Sequence, residues 1–248
     1  MYDLSGQWLF QLAEESHCNE VTDLISREFT RNEPLSRSLA LTADELHPLM
    51  TVLVSKAISF GMCTIVCHRQ DSKIVAACVF QGFIKPWVSD PSALCPRGAP
   101  LFGLMEQLFA SGCPDRKRDA ELHIAVTDAA YSGYGLMTSL FIFNHHMLVK
   151  QGYRRIWAAL SNPVSQRLFL RFSSAIASLD PRSFIWNGQK VFAGADLPEK
   201  IVLGSRRMDD PVTTIAASRP CRKILYHLPA VKKALAKFPL ARQKNFSS

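Results

Sequence analysis

The chain has no long apolar run. Its most apolar stretch, Leu136–Phe143, stops at Asn144, His145 and His146, far short of the roughly 20 residues that span a bilayer, so no membrane span is expected. A basic N-terminal region leading into an apolar run is also missing, because Met1-Tyr-Asp-Leu-Ser5 carries no cation and Glu14 and Glu15 interrupt the first apolar residues; no secretory signal is read there. Cysteines in paired, framework-like spacing are lacking too. The seven present are an odd number scattered through apolar, strand-like surroundings, which fits a reducing, cytoplasmic setting. Cys63-x-x-x-Cys67-His68 has no matching second pair and lies in an alternating strand pattern, so no metal is expected. No internal repeat is found.

Charge of one sign is lacking over most of the chain. Residues 1–204 carry nineteen cations and nineteen anions, whereas residues 205–248 carry ten Lys or Arg against two Asp. The whole net charge of +8 therefore sits in a basic tail. Within that tail Leu228, Val231, Leu235 and Phe238 fall on one helical stripe until Pro239. Two readings stand: a terminal helix or loose end of the domain, or a segment that contacts an anionic surface. Its cations form no aromatic-interleaved basic motif, so nucleic acid is not the expected partner.

With 48% hydrophobic and 20% charged residues, a sizeable core is available. Leu9–Phe29 reads as an amphipathic helix, and Thr42–Phe60 as another, opened by a capping box at Thr42-x-x-Glu45. Between them lies Glu33-Pro34, where proline disfavours helical geometry at Glu33 and the carboxylate is expected to project from a loop. Cys63–His68 and Ile74–Phe83 are strand-like and read as a hairpin around the polar turn 70–73. Leu101–Phe109 reads as a short helix, Glu121–Val126 as a strand, Leu136–Val149 as a helix, Arg155–Leu160 as a strand and Gln166–Phe172 as a helix. Asn187-Gly188 marks a small hairpin within 182–192, and Ile201–Met208 reads as a last strand.

The most informative stretch is Ala130-Tyr-Ser-Gly-Tyr-Gly-Leu-Met-Thr138, a glycine turn leaving a strand and opening a helix. Gly133 and Gly135 permit positive φ and close approach of a ligand to the backbone. Loop amides and a helix N-terminus converge there, a seat for a pyrophosphate. The turn has no Lys, which excludes a P-loop, and Thr138 stands where a dinucleotide fingerprint has its third glycine. Alone, the glycine pair fits either an ordinary strand-to-helix turn or an anion site.

The order strand, glycine turn, helix, strand, Ser161-Asn-Pro-Val-Ser165 and helix resembles the acetyl-CoA core of the GNAT N-acetyltransferase superfamily, over about residues 121–172. That family's turn reads Arg/Gln-x-x-Gly-x-Gly/Ala; Gly133 and Gly135 match it and Ala130 departs from it. Phe29-Thr-Arg-Asn-Glu-Pro-Leu35, with Leu39 beyond, is similar to the Phe-x-x-(Asp)-Glu-Pro-Leu-Asn-x-x-Leu signature of insect-type arylalkylamine (dopamine) N-acetyltransferases. The likeness then runs over roughly residues 8–208. It implies an α/β GNAT fold, a mixed central sheet flanked by helices, with one domain at 1–208 and a basic extension at 209–248.

The resemblance also implies a function: direct acetyl transfer from acetyl-CoA to a small primary amine, with no metal. Acceptors to weigh are an arylalkylamine and a peptide or protein lysine, and a third reading is a CoA-binding module that has lost catalysis. Glu33 is implied as the base that deprotonates the amine, with an ion pair to Arg31 or Arg37 as its structural alternative. Ser161 and Ser165 are implied in catalysis, while Ser161 is equally placed to cap the helix. Ser132, Gly133, Tyr134, Gly135, Leu136, Met137 and Thr138 are implied around the pyrophosphate, and the Val126 backbone along the pantetheine arm. Asn162 either caps the helix or contacts that arm.

Many GNAT enzymes carry a tyrosine acid in a Leu-Tyr-x-x-x-Gly-Phe pattern, and here Phe169 and Ser173-Ser174 stand at those positions. Phenylalanine has no proton to give. His123 lies either near the thioester or satisfied in the core, and Trp87 and Phe83 either stack on an aromatic amine or simply pack.

Overall fold

A computed structural model describes residues 6–83, 86–194 and 196–210. The elements in chain order are β1 (Trp8–Leu12), α1 (Cys18–Asn32), α2 (Pro34–Ser38), α3 (Ala43–Ser59), β2 (Cys63–His68), β3 (Ile74–Gly82), α4 (Pro91–Leu94), α5 (Ala99–Ala110) and β4 (Asp119–Thr127). Next come α6 (Leu136–Lys150), β5 (Arg155–Leu160), α7 (Pro163–Phe169), β6 (Ser174–Leu179), the two-residue strands β7 (Ile185–Trp186) and β8 (Gln189–Lys190), and β9 (Ile201–Arg207). One seven-stranded sheet has the order β1-β2-β3-β4-β5-β9-β6. All neighbours are antiparallel except β4 and β5, which run parallel because α6 carries the chain between them. This is the mixed sheet flanked by helices that the sequence led us to expect.

Residues 74–80 of β3 are buried without a break. A strand with no solvent face marks a sheet covered on both sides. One apolar cluster joins α1, α3 and α6 to β1–β4, and includes Leu24, Leu53, Ile65, Phe80 and Leu140. A second joins α5 to β5 and β9 through Leu104, Leu108, Trp157 and Leu203, and takes in Leu35 of α2. The short signature helix is thus anchored in the second cluster while its neighbour α1 is anchored in the first.

Several expected elements need correction. The helix placed over 9–29 begins only at Cys18, and its first residues form β1, where Trp8 pairs with His68 and Leu12 with Thr64. Five residues ending at Ala13-Glu14 are long enough for a strand and too short for a stable helix. The helix placed over 166–172 starts three residues earlier, since Asn162 caps it and Pro163 occupies its first position. It also ends at Phe169, and Ser174–Leu179, to which the sequence assigns no element, is strand β6. The Asn187-Gly188 hairpin forms as read, with Asn187 and Gly188 both at positive φ. Thr42 and Glu45 make the reciprocal capping box.

Among the described residues no helix is long and apolar enough to cross a membrane. The apolar stripe and cations of the tail lie outside the described residues.

Candidate functional site

Parallel pairing of β4 with β5 covers only Asp119–Glu121 against Arg155–Trp157. Past that point β4 continues to Thr127 and β5 to Leu160 without a ladder between them, and the two strands part. The cause lies in β4. Its pairing with β3 runs Val79 to Ile124 and then Phe80 to Leu122, so His123 is an extra residue, a β-bulge. Bulges bend and over-twist the strand that carries them, while β5 is held on its far side by β9. Below the fork, Asp119 accepts from the Trp157 indole at 2.7 Å and from the Asp115 amide at 2.9 Å, which pins the closed end.

The fork opens into a cavity of about 550 Å³, lined by β4 from Leu122 to Thr127, β5 from Ala158 to Leu160, the glycine turn, α7 and the end of α1. Its backbone phase is set by one bond. Asp128 N–H donates to the Val75 carbonyl at 2.8 Å, which makes that pair, and alternately Val126 with Ala77, the hydrogen-bonded pairs of the ladder. The Val126 amide and carbonyl, expected to meet a ligand, are therefore turned to β3. Ala125 and Thr127 present theirs to the fork instead, two residues apart, as a strand edge offers itself to an extended partner.

The glycine turn is fastened at its base. Asp128 is 7% exposed and caps a single turn of 3-10 helix, accepting from the Ala130 amide at 3.0 Å. Lys73 Nζ lies 2.9 Å and Arg27 Nη2 3.4 Å from its carboxylate. Burial pushes the Asp128 pKa up, but Lys73, the Ala130 amide and Arg27 together hold it below the usual carboxylate range. Replacing Asp128 with Ala is expected to cost about 1–3 kcal/mol in thermal unfolding, from the lost cap and the loss of a buried acceptor.

Gly133 and Gly135 have φ of +85° and +77°, in the left-handed region. Gly135 is the N-cap of α6 and has no side chain to satisfy the first amides of that helix, so these donors are left for a ligand. Ser132, Gly133, Gly135, Leu136, Met137 and Thr138 all line the cavity. Leu136 and Thr138 are almost fully buried, so what they can offer is backbone. Tyr134 does not line it: its ring is 57% exposed and meets Trp8 edge-on at 5.7 Å. Trp87 and Phe83 also lie away from the cavity, stacked on Phe60 and packed against Phe109.

Glu33, Ser161, Ser165 and Asn162 are brought to this one cavity from regions about 130 positions apart. Glu33 does not project from a loop. It ends α1 and caps α2, 5% exposed, with Oε1 accepting from Leu35 N–H at 3.1 Å and Oε2 from Ser36 N–H at a shorter distance. A proline at the first helical position and an acidic N-cap are the ordinary start of a helix. Arg37 pairs with Asp196, not with Glu33. Each Glu33 oxygen keeps a second lone pair.

Asn162, not Ser161, caps α7, accepting from Val164 N–H at 2.8 Å. Its Nδ2 donates to the Asn32 carbonyl at 2.9 Å, which ties the start of α7 to the residue before Glu33. Ser161 is thus released from capping, 8% exposed on the cavity wall. Phe169 packs edge-on against Phe141 and Phe172, with centroids 6.0 and 5.4 Å away. It seals the apolar floor.

Two kinds of lining residue escaped the sequence reading. Glu28 is 4% exposed and takes Arg27 Nε at 3.2 Å and Asn32 Nδ2 at 3.0 Å. A signal existed, because Val21, Leu24, Ile25 and Glu28 share one helical stripe and a carboxylate ends the apolar series. Arg167 and Arg171, both exposed, line the cavity from α7 and its exit. His123, which the sequence placed either near the thioester or in the core, lines the cavity half-buried on the bulge; its Nδ1 is 2.9 Å from Glu121 Oε1, while the other Glu121 oxygen receives Gln81 at 2.8 Å.

Burial would lower the His123 pKa, but the Glu121 carboxylate outweighs it and raises it above 6.5. Burial would raise Glu121, and His123 and Gln81 hold it low. A raised imidazole stabilises the fold below its unfolded pKa and loses that contribution as pH rises through its folded value. A lowered carboxylate contributes above its unfolded pKa and loses it as pH falls through its folded value. The pair therefore stabilises most between about pH 4.5 and 6.5. An NMR titration should place His123 above 6.5, and Glu121→Gln should bring it below, since only burial then acts.

No protein-family model and no curated sequence matches the chain. Solved structures do. Arylalkylamine N-acetyltransferase 2 from Aedes aegypti is similar with a TM-score of 0.70, 15% identity, 82% of this chain and 99% of that one. The C-terminal condensation domain of Ebony, in complex with beta-alanyl-dopamine, gives 0.68 at 11% identity, over 81% and 99%. The protein yncA from Salmonella typhimurium, with its cofactor acetyl-CoA, gives 0.51 at 11% identity, over 82% and 95%. The described chain has the GNAT acetyltransferase fold.

Proposed function

We propose that this chain is an acetyl-CoA-dependent N-acetyltransferase that acts on a small primary amine, with an arylalkylamine as the first candidate, by direct transfer. The observation that carries this reading is the convergence of Glu33, Ser161 and Ser165 on a cavity that also holds the free edge of β4 and the uncapped start of α6. The residues present fit the donor. Ala125 and Thr127 offer alternating backbone groups to an extended, amide-bearing arm, and the two left-handed glycines leave room for a diphosphate on the first amides of α6.

Bound there, acetyl-CoA supplies the activated acyl group. The protein's own part begins with an amine that is mostly protonated at neutral pH. Glu33, through its remaining lone pairs, takes that proton so that the nitrogen can attack the acyl carbon. The C–N bond forms as the C–S bond breaks, and the proton lost by nitrogen balances the one the departing thiolate takes up. Ser161 and Ser165 support that second transfer, since Phe169 cannot. The six cysteines among the described residues are unpaired, which supports a cytoplasmic setting.

One observation favours a second reading, a binding module that has lost catalysis: the apolar Phe169 at the position of the tyrosine acid. An acetyl-CoA consumption assay over arylalkylamines, diamines and lysine peptides separates the two. Turnover with an arylalkylamine supports the enzyme reading. Tight CoA binding without turnover on any acceptor would overturn it.

A further inference from the structure

Resting on the reading that CoA is the donor, we propose that Arg167 and Arg171 are the phosphate-binding cations of this site, replacing a charge that the glycine turn does not carry. Residues 129–138 contain no Lys, Arg or His, so the turn meets a polyanion with backbone dipoles alone. The cations nearest its base, Lys73 and Arg27, are spent on Asp128. Fully charged phosphates held only by amides leave most of their charge unmatched, and an arginine fork is the side chain best shaped to match it.

Arg167 and Arg171 meet the need by position. They are four residues apart along α7 and its exit, exposed at the cavity wall, while the intervening Phe169 and the adjacent Phe172 turn into the core. The cavity therefore carries charge of both signs. Glu28 and Glu33 bring acids from the end of α1 and the start of α2, and the two arginines bring cations from α7 and its exit. A cationic amine and an anionic thioester donor thereby each find opposite charge in the one space.

The test is calorimetric binding of CoA, 3′-dephospho-CoA and pantetheine to the full chain and to Arg167→Gln, Arg171→Gln and the double variant. The double variant is expected to lose about 10- to 100-fold in CoA affinity, the scale of one or two charge-assisted contacts. Pantetheine binding should not change, the salt dependence of CoA binding should flatten, and Arg→Lys at both positions should recover part of the loss. An equal loss for pantetheine, or undiminished CoA binding by the double variant, overturns the assignment while leaving CoA as donor. Absence of CoA binding by the unaltered chain overturns both.

Discussion

Glu33→Gln is expected to lower kcat/KM for acetyl transfer by about 10²- to 10⁴-fold, the range that a positioned proton acceptor contributes. The substitution is chosen for what it preserves. Glutamine keeps one carbonyl oxygen for the Leu35 or Ser36 amide, so α2 stays capped and Leu35 stays in its cluster. The loss should therefore fall on kcat at saturating amine, with CoA affinity changed less than about threefold and thermal stability lowered by about 1 kcal/mol. Glu33→Ala is a poorer test, because it removes the cap and the base together. Unchanged turnover in the glutamine variant, measured by release of CoA thiol, would remove Glu33 from the chemistry and leave it as a helix cap.

Gly135→Ala should weaken CoA binding by tenfold or more. At φ +77° an alanine carries about 1–2 kcal/mol of backbone strain, and relief of that strain rotates the first amides of α6 away from the point where they converge. Gly133→Ala isolates the second effect. A Cβ there meets nothing within 4 Å, so in the free protein only the φ penalty acts. Any loss of CoA affinity beyond that lost stability then reports a ligand approaching this backbone. If both variants bind CoA as the unaltered chain does, the turn is not the donor's seat.

The elements with strong local signals are legible in the residues alone. Thr42 and Glu45 announce α3, the strand-like runs 63–68 and 74–83 around a polar turn mark the hairpin, and two glycines mark the start of α6. The likeness of residues 29–39 to a known signature draws Glu33 into the site, but not its capping bonds, which depend on where the chain turns after Pro34. β1 reads as helix because a short, mostly apolar run joined in sequence to a helix looks like its first turn until β2 lies beside it. The bulge at His123 leaves no mark, since an inserted residue is defined only against its partner strand. For the same reason the backbone phase that turns Val126 away and Ala125 and Thr127 inward is not legible, and neither are Arg167 and Arg171, to which the sequence assigns no role until the cavity places them.

His123 is the one residue that β4 has in excess over β3. Without it, the strand would continue in step, its edge would meet β5 beyond Trp157, and the sheet would zip shut over the space where a substrate now fits. The capacity to bind is in this sense a miscount between neighbouring strands. A one-residue deletion, small enough to spare the core, would turn a receptor into a wall.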